Sequence, residues 1–337
     1  MKAVIIGLGW QGKRHYEALK ELGVDLACVI DAKPDVVREK FLDIPPELIS
    51  NSGKILEKYQ PDVAIISTNA SERLKIVQYC VEAGIKKIFC EKPMATNLND
   101  AAEMIKITKS NGCMLAVNHL RRSNSNHLKM KKMLKEGVIG QIRHIYFQSG
   151  SAGLGNVGSH TIDNIRFYTD SEIHWVSGII DRTGTPNVRG PQYNDPAGWG
   201  MIMMKDGTRV MIDTCEDTGV PLVLEIVGTY GRVVIEELNN NWQILAREKS
   251  DWKIPLTRYG TPLCELDFIK TIPWDVTLFT KNGLKDLIFN NKTNCDGYDG
   301  YKAIEGIIAM HISDKNDNSK VELPLIDENL NFDVPWA

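Results

Sequence analysis

The sequence predicts an α/β protein of two parts: a doubly wound parallel sheet over residues 1–120, then an α+β domain over 121–337 with a large, mostly antiparallel, open sheet. Three observations carry this. Short β-branched runs alternate with amphipathic helical patterns as far as Asn118, the rhythm of a parallel sheet covered on both faces. The first of these runs meets three glycines, Gly7, Gly9 and Gly12, just where a helical pattern opens. Beyond Asn118 the rhythm changes, and from Ile173 to about Leu245 strand-like runs follow one another without helices between them, which reads as antiparallel pairing.

Taken in order, the first part shows strands at Ala3–Ile6, Leu26–Ile30, Val63–Ser67, Lys87–Cys90 and Met114–Val117. Helical patterns lie between them at Gln11–Leu22, Pro34–Phe41, Ser52–Lys58, Ser71–Ala83 and Leu98–Ser110. Gly23, Gly84 and Gly112 each follow a helical pattern, where a left-handed C-terminal turn selects glycine, and Asn97 suits the N-cap of the helix after it. In the second part a helix at Asn126–Glu136 leads to a strand at Arg143–Gln148, and a glycine-rich loop from Gly150 to Gly158 opens a helix at His160–Tyr168. Strands follow at Val176–Ile180, Gly200–Met204, Val210–Asp213, Leu222–Val227 and Arg232–Glu236, with Asp206-Gly207 marking a hairpin. A last helix, Gly300–Ser313, precedes Val321–Leu323.

Composition bounds the function. At 337 residues the chain is long enough for two well-buried cores. A net charge of −3 and the lack of a basic block with interleaved aromatics argue against nucleic acid. No apolar run reaches the ~18 residues of a membrane span, and Met1-Lys2-Ala3 enters a strand directly, leaving no room for a signal peptide. The seven cysteines are scattered without a C-x-x-C pair, so a reduced cytoplasm is the expected location. No His, Cys, Asp or Glu cluster has ligand spacing, so no metal is expected.

The stretch Val4-Ile5-Ile6-Gly7-Leu8-Gly9-Trp10-Gln11-Gly12 has the G-x-G-x-x-G spacing with a strand before and a helix after. Each glycine would serve a bound dinucleotide in its own way. Gly7 makes the tight turn, Gly9 lets the backbone approach a pyrophosphate, and Gly12 lets the helix lie close on the strand. The helix N-terminus then offers unpaired N–H groups and partial positive charge to the phosphates. Asp31, ~20 residues past the glycines and at the end of the second strand, would bind the ribose hydroxyls. Its carboxylate would repel a 2′-phosphate, and Ala32 offers no compensating arginine; NAD is expected over NADP, with Lys33 moderating the preference. In such sheets the ligand lies off the carboxyl ends of the strands. Those ends are Gly7, Asp31, Ser67-Thr68-Asn69, Glu91-Lys92-Pro93 and Asn118. Gln11 belongs to the same loop, and Trp10 is either a flank of the cofactor or an ordinary exposed aromatic.

Three further groups admit both a plain and a functional reading. Glu91-Lys92-Pro93 is a charged loop closing a strand, or it aims the Lys92 ammonium at a carbonyl or hydroxyl beside a nicotinamide, with Pro93 raising the chance of a cis bond. Ser159 caps a helix in which His160 packs, or His160 and Asp163, three apart on one face, present an acid–base group with Asn156 four residues before it. Arg121 and Arg122 are a solvated helix start, or they bind an anionic or hydroxyl-rich substrate. His15, His119, His127, His144, His174 and His311 show no comparable company in the sequence.

In this order, the glycine loop, Glu91-Lys92-Pro93, the Gly137-Val138-Ile139-Gly140 segment and Gly158-Ser159-His160-Thr161-Ile162-Asp163 resemble the glucose–fructose oxidoreductase / inositol dehydrogenase / MocA-like (Gfo/Idh/MocA) family. The final helix followed by Val321-Glu322-Leu323-Pro324 resembles that family's C-terminal end, so the likeness covers nearly the whole chain. The resemblance implies a Rossmann domain, a C-terminal domain with an open sheet, and homodimers or homotetramers formed through that sheet. It further implies NAD(P)-dependent hydride transfer at a carbon of a sugar, cyclitol or nucleotide-sugar, with Lys92 and His160 catalytic. Many members carry Asp where this chain has Asn156; an amide takes no proton, so Asn156 is expected to orient by hydrogen bonding while Lys92 and His160 carry the transfer. The family's T-P-N-x-x-H run is also altered, to Thr68-Asn69-Ala70-Ser71-Glu72-Arg73. Two rival readings share these features: a glycosidase that uses NAD without net redox change, and a non-catalytic sugar or NAD sensor. A methyltransferase is more distant, because Glu91-Lys92-Pro93 has no part in it.

Overall fold

The computed structural model describes residues 1–150, 153–184, 193–215, 217–255, 262–268, 271–334 and 336. Ser151 and Ala152 of the glycine-rich loop lie outside them. The chain forms two compact units that are not contiguous in sequence: one comprises 1–123, 275–304 and 330–337, the other 124–274 and 305–329.

The first unit is built on strands β1 (Lys2–Ile6), β2 (Asp25–Ile30), β3 (Ile49–Ser50), β4 (Val63–Ile66), β5 (Lys87–Cys90) and β6 (Met114–Val117). They form one parallel sheet in the order β3-β2-β1-β4-β5-β6, the doubly wound pattern expected. The connecting helices are α1 (Trp10–Leu22), α2 (Pro34–Lys40), α3 (Ile55–Tyr59), α4 (Arg73–Glu82) and α5 (Leu98–Ser110). Strands β1 and β4 are buried along almost their whole length, as a sheet covered on both faces requires. The punctuation read from sequence holds. Gly23 is left-handed at the end of α1, and the Asn97 side chain accepts the Asp100 N–H at the start of α5. The two-residue β3 has no counterpart in the sequence reading, because Ile49-Ser50 is too short to show a period.

The second unit holds α6 (Ser125–Lys135), β7 (Ile142–Gln148), α7 (Ser159–Thr169), β8 (Ile173–Ile180), β9 (Gly198–Met204), β10 (Arg209–Asp213), β11 (Val223–Gly228), β12 (Gly231–Glu236), β13 (Asn241–Ala246), β14 (Cys264–Leu266) and, near the C-terminus, β15 (Val321–Glu322). These strands form a nine-stranded sheet, β14-β13-β12-β11-β7-β10-β9-β8-β15, in which only β7 and β10 run parallel. Asp206-Gly207 does make the β9–β10 hairpin, with Gly207 at φ 87°. Burial alternates along β9 and β10, so Ile202, Met204, Val210 and Ile212 face a core while Met201 and Met211 stand on the other face.

Two helices complete the chain, α8 (Val276–Phe289) and α9 (Gly297–Lys315). The sequence reading lacked α8, and it belongs to the first unit. Asp275 caps it by accepting the Leu278 N–H, and Leu284, Leu287 and Ile288 join the core around β1, β4 and α1. Gly283, mid-helix, reads as a breaker in sequence. A Cβ there would lie 3.3 Å from the Phe89 ring, so the glycine brings α8 close onto β5.

Candidate active site

The glycine loop turns between β1 and α1 on the first unit. Gly7 sits at φ 89°, which only glycine adopts easily. A Cβ on Gly12 would come within 2.2 Å of the Gly7 carbonyl oxygen, so Gly12 is what allows α1 to start so near the strand. At Gly9 a Cβ would meet no atom within 4 Å, and no side chain caps α1 there. An uncapped helix start beside open space at a small residue is a cradle that fits a pyrophosphate. The Ser67 hydroxyl at the end of β4 donates to the Gly7 carbonyl at 2.6 Å and fixes the loop from below. Asp31 is half-buried at the end of β2; its two oxygens accept the N–H groups of Leu8 and Lys33, each at 2.8 Å. These bonds hold its carboxylate against the loop and leave lone pairs for hydroxyl donors. Trp10 is 77% exposed with the Arg14 guanidinium over its ring, and Arg14 also donates to Gln11.

The Glu91-Lys92-Pro93 turn follows β5, and its Lys92–Pro93 peptide is cis. Glu91 is buried. Its Oε1 accepts from His15 Nε2 on α1 and from Asn118 Nδ2 after β6, both at 2.8 Å, and its Oε2 faces the Lys92 N–H at 3.3 Å. Burial alone would raise the Glu91 carboxyl. The hydrogen bond and charge of His15, then Asn118 and Lys92, outweigh it and bring the carboxyl down to about 2. Asn118 reaches on to the Thr280 hydroxyl of α8 at 3.4 Å. Thr68 and Asn69 follow β4, and the Thr68 carbonyl accepts from Arg73. Arg73 is itself buried and also donates to the carbonyls of Glu91 and Pro93. The altered Thr68–Arg73 run thus places a guanidinium beneath the turn that presents Lys92. Lys92 itself is half-buried.

In the second unit Leu154–Gly158 forms a π-helical turn that runs straight into α7. His160 lies in the first turn of α7, half-buried, and Asp163 one turn on is buried. Asn156 is exposed on the π turn. Its N–H and that of Gly155 are both accepted by Asp195, at 2.9 and 2.6 Å. Gly153 makes room for this carboxylate, since a Cβ there would collide with it. Arg121 and Arg122 sit in a 3-10 turn, Leu120–Ser123, of the first unit. Arg121 is buried, against the solvated helix start that was the plain alternative, and Arg122 forks onto Asp299 at 2.9 and 3.0 Å.

Sequence reasoning missed His15, Arg73 and Asp195, and His127, which shows no comparable company in the sequence, finds its partners only in the fold. That ring is buried between Tyr168 Oη at 2.6 Å and Glu237 Oε1 at 2.5 Å. Apart from the Thr68 carbonyl that Arg73 reaches, these partners lie far away in sequence, beyond the reach of local spacing; the one available signal was a histidine on the inward face of α1. Among the described residues no group of three or more His, Cys, Asp or Glu side chains could hold a metal ion. Nor is any helix among them long and apolar enough to cross a membrane.

A parallel sheet in this strand order, a glycine cradle at an uncapped helix and an acid at the end of β2 define a nucleotide-binding Rossmann domain. Residues 1–119 match the Gfo/Idh/MocA family model, described as an oxidoreductase family with an NAD-binding Rossmann fold. The expected family and cofactor are thereby borne out. A myo-inositol 2-dehydrogenase of Thermotoga maritima is 24% identical, the match covering 74% of this chain and 80% of the relative. An inositol 2-dehydrogenase/D-chiro-inositol 3-dehydrogenase of Shouchella clausii is 22% identical over 95% of this chain and 94% of its own length. A levoglucosan dehydrogenase structure in complex with NADH shares the fold, with a TM-score of 0.80 and 19% identity over 97% of this chain and 100% of that one. The expectation of an NAD-linked oxidoreductase of the dehydrogenase class agrees with these comparisons.

Proposed function

We propose that this protein transfers a hydride between NAD and a carbinol carbon of a sugar or cyclitol, with Lys92 as the group that exchanges the hydroxyl proton. The observation that carries the reading is the Lys92 turn. It follows β5 at the carboxyl end of the same parallel sheet as the glycine loop, and Arg73 and Glu91 hold it from several sides. The names of the curated relatives, inositol dehydrogenases, support a polyhydroxylated substrate. The groups that would hold the dinucleotide are the α1 N-terminus, Gly9, Asp31, Thr68, Asn69 and Asn118. When bound, the nicotinamide supplies the hydride donor or acceptor. The chain's own part is to orient the carbinol and move its proton. The Lys92 ammonium donates a hydrogen bond to the substrate oxygen, and in its neutral form it takes the proton. His160 is the companion that the resemblance implies, with Asn156, Asp163 and the two arginines as candidates for the remaining hydroxyls.

The test uses purified protein with NAD and a panel of inositols and aldoses, following absorbance of the reduced nicotinamide. Wild type is expected to reduce NAD in step with substrate loss. Lys92→Ala is expected to lose ~100-fold or more in kcat, the scale of a lost general base, while NAD binding measured by calorimetry stays within a few fold. Turnover of a glycoside without accumulation of reduced cofactor would instead establish the redox-neutral glycosidase.

We also propose that the open face of the nine-stranded sheet joins copies of this chain. Trp199 and Met201 on β9 are exposed there, and Met211 of β10 is in register with Met201 on one side and Tyr146 of β7 on the other. A contiguous apolar patch of this kind marks an interaction surface.

A further inference from the structure

The glycine-loop helix and the lysine turn are joined by a buried polar node. His15 projects from α1 and is 1% exposed. Its Nε2 lies 2.8 Å from Glu91 Oε1, the oxygen that also accepts from Asn118. Its ring stands edge-on to Phe89 at a centroid distance of 5.7 Å. Its other nitrogen, Nδ1, is buried with no hydrogen-bond partner. A buried polar atom without a partner costs free energy, and an aliphatic side chain of similar volume would pack beside Phe89 without that cost. Packing therefore does not explain a histidine here. The bond to Glu91 does.

Because the Glu91 carboxylate can only accept, the imidazole donates to it from Nε2. With Oε1 taken by His15 and Asn118, the carboxylate is fixed so that Oε2 faces the backbone N–H of Lys92. Arg73 grips the same turn through the carbonyls of Glu91 and Pro93. We infer that His15 is a positioning residue which, through Glu91, ties the dinucleotide-binding helix α1 to the turn that aims Lys92. The inference rests on the reading of Lys92 given above.

The experiment compares His15→Leu and His15→Met, which remove the donor, with His15→Gln, whose amide nitrogen can reach the Nε2 position. Thermal melting and circular dichroism select the folded variants, and either donor-less variant serves. The first measurement needs neither cofactor nor turnover. Lysines are reductively methylated with 13C-formaldehyde, the Lys92 resonance is assigned by its loss in Lys92→Arg, and its pH titration is followed in each variant. The second is kcat and KM for the best polyol. A donor-less variant is expected to displace the Lys92 titration and to lower kcat by ~10- to 100-fold, the effect of a misplaced catalytic group, with KM changed by less than about threefold; His15→Gln is expected to recover most of both. The inference is overturned if a folded donor-less variant keeps the wild-type Lys92 titration, or if His15→Gln behaves no better than His15→Leu. A wild type that turns over no polyol would count against the dehydrogenase reading, and the Lys92 titration alone would then decide the role of His15.

Discussion

Individual side chains decide the cofactor before they decide the substrate. Asp31 is held by the N–H groups of Leu8 and Lys33, so its carboxylate is fixed at the end of β2, where the proposed ribose site lies. A fixed carboxylate there disfavours a 2′-phosphate electrostatically. NAD is accordingly expected to support a higher kcat/KM than NADP in wild type, and Asp31→Ser is expected to narrow the ratio by ~10-fold or more, the scale of removing one close like-charge contact. Paired rate measurements with the two cofactors check this; equal or better use of NADP by wild type would remove the argument. Arg73 teaches a different lesson. The departure from the family's T-P-N-x-x-H run gave no hint in sequence that this residue would be buried and bonded to the Thr68, Glu91 and Pro93 carbonyls.

Helix α8 shows how a secondary-structure element can be legible and still be missed. Its apolar positions Phe279, Leu284, Leu287 and Ile288 recur at helical spacing, and Asp275 is a good N-cap. Gly283 interrupts the pattern for a tertiary reason, the close approach to Phe89, which no local rule supplies. The helix fills the core of the dinucleotide domain from a point far along the chain, with its end tied by Lys87 to the Ile288 carbonyl at 2.6 Å. Leu284→Ala is expected to cost about 2–5 kcal/mol of stability, the usual range for a buried leucine. Chemical denaturation followed by circular dichroism measures it, and a loss under ~1 kcal/mol would show that α8 is not part of that core. α7 makes a comparable point. Its start was readable from Gly158-Ser159, but the π turn before it and the Asp195 carboxylate that holds it were not.

At the scale of the molecule, the nine-stranded sheet leaves one face with Trp199 and Met201 exposed, the latter at 53%. If that face joins two copies, Met201→Arg places a charge in the seam. The variant is expected to shift the mass measured by multi-angle light scattering toward the monomer while its circular dichroism stays that of wild type. A wild type that is already monomeric at micromolar concentration would contradict the proposed assembly.

What the sequence determined by itself was governed by local spacing. The alternation of strands and helices, the glycine triplet, Asp31, the cap at Asn97 and the hairpin at Asp206-Gly207 depend on neighbours within a few residues, so a linear reading finds them. Tertiary structure alone decided what depends on distant partners. It brought His15 to Glu91 across 76 residues, Asn118 to Thr280 across 162, and Lys87 to Ile288 across 201. Those pairings form because buried donors and acceptors must find one another once the sheet closes over them, and that requirement acts on the folded chain rather than on the order of its residues.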